Sequence, residues 1–144
     1  MTSTMTSSAR VSESIPSAST SGARLWAGRI LSTFAVLFLA MDGVMKLIQP
    51  DMVVQGSVQL GYPEATISGI GVALLVSTLL HVIPRTSLLG VILLTGFLGG
   101  AVATHVRVGN PWMTHILFPV YVALLIWGGL ALRRPRLAAL CLGR

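Results

Sequence analysis

The chain has 144 residues, of which 53% are hydrophobic and 10% are charged, and its mean hydropathy is +0.82. This composition is too apolar for a soluble domain, and the length fits one compact membrane domain. The net charge of +6 does not indicate a nucleic-acid partner, because the arginines stand at the ends of apolar runs. A single cysteine, Cys141, excludes an internal disulfide.

The N-terminal segment, residues 1–24, is rich in serine and threonine and has almost no large apolar side chains. Such a segment cannot bury enough apolar surface to offset the entropy lost on ordering, so we predict a disordered cytoplasmic tail. An organellar transit peptide is the alternative, since the segment is also poor in acidic residues, although it has few basic ones. At the other end, residues 136–144 are predicted to form a short basic tail.

Four apolar runs follow the N-terminal segment, and each is close to the roughly 20 residues that a helix needs to cross the hydrocarbon core. The predicted spans are residues 25–48, 66–83, 87–106 and 112–132. Short connections join the second run to the third and the third to the fourth, which makes these helices antiparallel neighbours. The predicted fold class is therefore all-α, an integral membrane four-helix bundle formed by residues 25–135.

The longer connection between the first and second spans is predicted to hold a short helix at the membrane interface. Val54 and Val58 share one face of this helix. Pro50 suits its first position, and Gly61 suits the position just after its end.

Basic residues near the spans predict the orientation of the bundle. With a cytoplasmic N-terminus, eight basic residues lie on the cytoplasmic side and two on the outer side. The eight are Arg10, Arg24, Arg29, Arg85, Arg133, Arg134, Arg136 and Arg144, and the two are Lys46 and Arg107. Both termini are therefore predicted to be cytoplasmic.

The third run contains a pattern of small residues that is typical of close helix packing. Gly96 and Gly100 form a GxxxG pair, which Gly99 extends. Small residues let helices approach closely in lipid, where little hydrophobic force acts between helices. The pattern predicts a packing seam within the chain, with a homodimer face as the alternative.

Inserting an ionisable side chain at the bilayer centre costs free energy of order 3 kcal/mol, so each such residue in a span is expected to have a structural or functional role. Asp42 and Lys46 lie one helical turn apart near the outer end of the first span and are predicted to pair. His105 and Arg107 close the third span, and His115 opens the fourth. The predicted topology brings these five groups to the same outer layer.

This polar cluster has two interpretations. It is either a network of ion pairs and hydrogen bonds that ties the helices together, or a pocket that opens toward the outer face and binds a quinone headgroup, a small polar ligand or a proton. Pro119, which must break or kink the fourth helix, favours a cavity. A metal site is not predicted, because no cysteine or second carboxylate stands at ligand spacing from the two histidines.

The sequence lacks the motifs of nucleotide binding, of serine-nucleophile hydrolases and of zinc proteases. We therefore predict neither autonomous catalysis nor an intrinsic cofactor, and any redox role needs a borrowed one. A bound quinone is the candidate for that role.

Three stretches carry a family resemblance. They are MDGVMK at residues 41–46, LGYPE at residues 60–64, and the run over residues 83–107 that contains IPRT, LTGFLGGA and THVR. In this order, and with four spans, they resemble the DoxX-like family of small bacterial membrane proteins over about residues 29–135.

The resemblance implies a multi-pass protein of the bacterial inner membrane, related to subunits described in thiosulfate:quinone oxidoreductase and in membrane-associated redox complexes. It implies that Asp42, Lys46, His105 and Arg107 are matching motif positions. Phe97 departs from the pattern, because many relatives carry tyrosine there, and this chain lacks the corresponding hydroxyl.

The leading hypothesis is an accessory subunit that docks a redox partner protein or a quinone at the outer pocket. Membrane lipids and a second copy of the chain are the other expected partners. The alternatives are a small transporter component, which needs an oligomer, and a structural membrane scaffold without a ligand.

Overall fold

The computed structural model describes residues 22–134, which form five α-helices and one π-helical segment. The helices are α1 (Gly22–Ile48), α2 (Asp51–Gln59), α3 (Glu64–Val82), α4 (Ser87–Arg107) and α5 (Phe118–Arg133), and the π segment is Trp112–Ile116. The tails predicted for residues 1–24 and 136–144 lie outside the described residues, except that residues 22–24 begin α1.

Four stretches of the described chain are long and apolar enough to cross a membrane: α1, α3, α4, and the π segment continued by α5. The all-α class is confirmed, and the four apolar helices coincide with the predicted spans to within three residues at either end. Phe34, Leu37 and Leu124 are 66%, 65% and 64% exposed on the outside of these helices. Large apolar side chains exposed in this number suit a surface that faces lipid rather than water.

Each spanning helix packs against two others. Both α1 and α4 contact α3 and α5, whereas α1 and α4 do not contact each other within the described chain. These two helices therefore stand diagonally opposite. The core that fills the space between the helices includes Ala35, Leu39, Leu74, Leu94 and Ile126, all at most 2% exposed.

The backbones of α4 and α3 come very close at a glycine outside the predicted GxxxG pattern. A Cβ atom on Gly90 would lie 2.2 Å from the backbone nitrogen of His81, so only glycine fits there. A Cβ atom on Gly96, Gly99 or Gly100 would meet no atom within 4 Å. No helix of the described chain therefore packs closely on these three glycines, so the predicted seam is not formed there. Gly96 and Gly100 instead border an open cavity among the helices. The homodimer alternative stays a prediction.

The connection between α1 and α3 holds the predicted short helix, α2. Pro50 caps its N-terminus with an extended backbone, one position earlier than predicted. Gly61 follows its end with a φ of +84°, the left-handed conformation that glycine adopts without a steric penalty. The sequence thus predicted both ends of α2 to within one residue.

The fourth span is not one continuous α-helix. The N–H groups of Ile116 and Leu117 bond to carbonyls five residues earlier, on Pro111 and Trp112, at 3.4 and 2.9 Å. Pro119, which has no N–H, lies in the first turn of α5. The predicted break is present and lies just before this proline, where the wider π turn gives way to the α-helix.

Candidate functional site

A cavity of about 850 Å³ lies among the helices at the end of the molecule that carries Asp42. Its volume is typical of a site for a small organic molecule. Along α1 its lining extends from Phe38 to Lys46, which at 1.5 Å per residue corresponds to a depth of about 12 Å. Residues of α2, α3, α4, the π segment and α5 complete the wall.

The wall of this cavity changes character along its depth. Toward the middle of the helices it is apolar, with Phe38, Leu39, Phe97, Leu98 and Val122. Toward the helix ends Val53, Leu60 and Val108 stand beside polar side chains, and all the charged and histidine side chains of the wall lie in this part. The polar side chains there include Asp42, Lys46, Tyr62, Thr104, His105, Asn110 and His115. The cavity is therefore complementary to a ligand that has a polar head and an apolar body.

Asp42 and Lys46 form the charged part of the wall. Lys46 Nζ donates a hydrogen bond to Asp42 Oδ1 at 2.6 Å, the only salt bridge within residues 22–134. The side chains are 20% exposed for Lys46 and 37% exposed for Asp42. The predicted pairing is confirmed. Because an ammonium group carries three hydrogens, Lys46 can donate to a ligand while it stays paired with Asp42.

His105 and His115 meet at the cavity wall, with ring centroids 5.6 Å apart and ring planes at 63°. The amide nitrogen of Asn110 donates to Nδ1 of His105 at 2.8 Å, so the neutral ring of His105 carries its proton on Nε2. Nδ1 of His115 lies 2.7 Å from Thr114 Oγ1. Each ring is thus held through Nδ1, which leaves Nε2 for a ligand. Within residues 22–134 no three histidine, cysteine or acidic side chains come together as a metal site.

Tyr62 and Thr104 are cavity residues that the sequence analysis did not select. Their hydroxyl oxygens lie 2.6 Å apart, which links the loop before α3 to α4. Thr104 donates its single hydrogen to the carbonyl of Gly100 at 2.9 Å, so Tyr62 is the donor in the pair. The one signal in the sequence was the position of Tyr62 within the LGYPE stretch. Phe97 of α4 lines the same cavity but has no hydroxyl group. The tyrosine hydroxyl at the cavity wall comes instead from Tyr62, in the loop before α3.

Arg107 lies at this end of the molecule but does not line the cavity. Its Nη2 donates to the carbonyl of Leu60 at 2.6 Å and lies 3.0 Å from the place of a Cβ on Gly61. Arg107 therefore ties the end of α4 to the loop that follows α2. The predicted ionisable residues that do line the cavity are Asp42, Lys46, His105 and His115.

The sequence was compared with protein families, curated proteins and solved structures. Residues 30–129 match the model of the DoxX-like family, which is more than half of the chain. This range contains every residue that lines the cavity. No curated protein and no solved structure matches the chain.

Proposed function

Since the chain belongs to the DoxX-like family and has four apolar helices that can cross a membrane, we propose that it is an accessory membrane subunit that binds a quinone and serves a membrane-bound oxidoreductase. In this proposal the protein lies in the bacterial inner membrane as a four-helix bundle with both termini in the cytoplasm. The cavity then opens toward the outer face, and a redox partner protein supplies the electrons.

The observation that carries the proposal is that the inner part of the cavity wall is apolar, whereas the charged and histidine side chains are confined to its outer part. A quinone has a flat ring, two carbonyl oxygens that accept hydrogen bonds, and an apolar tail. Phe38 and Phe97 offer aromatic surface to the ring. Lys46 and His105 are the candidates to donate hydrogen bonds to the carbonyl oxygens. Each has an N–H group that its hydrogen bond within the chain does not use.

Asp42 has a supporting role in this proposal. Its carboxylate accepts from Lys46 Nζ and therefore fixes the position of the ammonium group at the wall. A charge placed this deep in a span is costly unless it is paired, and the pairing offsets that cost for both side chains. Asp42 is thus a positioning residue rather than a direct contact of the quinone.

A structural scaffold is the second candidate function, and specific contacts favour it. Two hydrogen bonds hold the loop between α2 and α3 against α4 at the same end of the molecule. Arg107 donates one to Leu60, and Tyr62 donates the other to Thr104. If the Asp42–Lys46 pair also serves only to stabilise the fold, the scaffold function requires no specific ligand in the cavity. The two functions therefore differ in what a neutral replacement of Asp42 does to ligand binding.

Affinity purification from a mild detergent tests the proposal. We would purify the wild type, Asp42→Asn and Asp51→Asn, then identify copurified proteins and extracted quinones by mass spectrometry. Asp51→Asn is the matched control, because Asp51 is exposed and does not line the cavity. We expect a quinone and an oxidoreductase with the wild type and the control, and a several-fold loss with Asp42→Asn. Equal recovery from all three, or no quinone from any of them, would favour the scaffold.

A further inference from the structure

The end of the molecule opposite the cavity carries arginines and, within residues 22–134, no acidic side chain. We call it the basic end, and it consists of Arg24, Arg29, Arg85, Arg133 and Arg134. It comprises the start of α1, the loop between α3 and α4, and the end of α5. The acidic residues of the described chain, Asp42, Asp51 and Glu64, all lie at the cavity end.

Arg133 of α5 lies against the first helix at this end. Its Cγ is 3.0 Å from the place of a Cβ on Gly28, the neighbour of Arg29 in α1. Its Nε donates to the carbonyl of Gly129 at 3.1 Å, which fixes the side chain along α5. Arg29 is the next residue after Gly28 in α1, and Arg134 follows Arg133 directly. Arginines of α1 and of the end of α5 therefore stand on two packed elements at this end of the molecule.

The loop between α3 and α4 is joined to these arginines through Arg134. Nη2 of Arg134 donates to the carbonyl of Pro84, the residue before Arg85. The bond holds the end of α5 against the loop between α3 and α4. Positive charge from α1, this loop and α5 therefore converges, and both Arg133 and Arg134 are half-buried.

Topology alone does not account for this convergence. The rule that places basic residues on the cytoplasmic side requires only that they flank the spans, not that they meet. Like charges held together repel one another, and a half-buried guanidinium group is stabilised by an anion. Since no carboxylate of residues 22–134 lies at this end, an anion that stabilises these arginines would come from outside this part of the chain.

The surroundings indicate which anion suits the basic end. Arg29 lies over the ring of Trp26, 5.9 Å from its centroid, and Trp26 is 64% exposed. Exposed tryptophan at the end of a span is typical of the headgroup layer of a bilayer. Guanidinium groups bind phosphate oxygens with two parallel hydrogen bonds. We infer that the basic end is a binding site for the phosphate of an anionic phospholipid, held between Arg29 of α1, Arg133 at the end of α5 and Arg134 directly after it.

Native mass spectrometry of the full chain in detergent tests this site. Phosphatidylglycerol and phosphatidylcholine with the same acyl chains are titrated separately, and the lipid-bound fraction is measured. We expect saturable binding of phosphatidylglycerol that Arg133→Gln weakens about tenfold, the equivalent of one charge-assisted contact. Arg133→Lys keeps the stem and the charge but loses the planar fork, so we expect a smaller loss. It also provides the test if Arg133→Gln does not fold.

Arg24→Gln is the control, because it removes the same charge at the same end from an exposed residue five positions before Arg29. We expect it to weaken phosphatidylglycerol binding by no more than about twofold. Equal losses for Arg24→Gln and Arg133→Gln would show that only total charge matters and would overturn the site. Equal binding of the two lipids would do the same. Displacement of the lipid by inorganic phosphate would assign the site to a free anion instead.

Discussion

Arg107, at the end of α4, donates from Nη2 to the backbone carbonyl of Leu60, 47 residues earlier in the chain, at 2.6 Å. The hydroxyl of Tyr62 reaches Thr104 of the same helix at 2.6 Å. Two side-chain hydrogen bonds therefore hold the loop between α2 and α3 against α4. Because residues of α2 and of this loop line the cavity, the two bonds also determine its shape.

Removing the Arg107 side chain is expected to loosen this loop without unfolding the helices. Arg107→Ala deletes the bond to Leu60, and one such bond contributes about 1 to 1.5 kcal/mol. We expect amide hydrogen exchange in residues 59–63 to become about tenfold faster, because local opening needs that much less free energy. Arg85→Ala, in the loop between α3 and α4, is the control and should leave exchange in residues 59–63 unchanged.

Removing the hydroxyl of Tyr62 is expected to lower the stability of the whole chain. In Tyr62→Phe the half-buried Thr104–Gly100 pair keeps its own bond, and only the link to the loop is lost. We expect the free energy of unfolding in detergent to fall by about 1 kcal/mol, measured by helical circular dichroism. Tyr121→Phe removes a hydroxyl from an exposed tyrosine of α5 and should have no effect. Equal losses for the two variants would show that the Tyr62–Thr104 bond is not the cause.

Two alanine substitutions in α4 are expected to have opposite effects. In Gly90→Ala the new Cβ would meet the backbone of His81 at 2.2 Å, and neither backbone can yield easily. We expect a loss of more than about 2 kcal/mol in the free energy of unfolding. Gly99→Ala meets no atom within 4 Å and should be neutral or up to about 1 kcal/mol more stable, since alanine favours the helix. A larger loss at Gly99 than at Gly90 would contradict the packing described for α4.

The Asp42–Lys46 pair is expected to show energetic coupling. Asp42→Asn or Lys46→Met leaves one charge without its partner, whereas the double variant leaves neither charge. Because Asp42 is more than a third exposed, we expect a modest coupling energy of about 0.5 to 1 kcal/mol in a double-mutant cycle. Thermal unfolding of the four proteins in the same detergent measures it. Additive losses would mean that the two side chains act independently.

The sequence predicted the parts of the site that depend on one helix or on element length. Four apolar runs specify four spans, and the spacing of Asp42 and Lys46 in a single helix is sufficient to predict their bond. The convergence of His105 and His115 followed from the short connection between their helices.

Contacts that depend on the rotation of one helix against another could not be predicted in this way. The sequence marks Gly90 and Gly96 alike as small residues, but only Gly90 faces α3. Arg107 was assigned to the pocket by its position in the chain, and the path of a distant loop decides that it bonds to Leu60. Tyr62 joins the cavity for the same reason.

The quinone site is tested most directly by measuring the binding of a short-tailed benzoquinone to the purified full chain in detergent by equilibrium dialysis. We expect saturable binding at one site per chain, about tenfold weaker for Lys46→Met and unchanged for Asp51→Asn. If the wild type shows no saturable binding, or if Lys46→Met binds the quinone as well as the wild type does, the cavity is not a quinone site of the proposed kind.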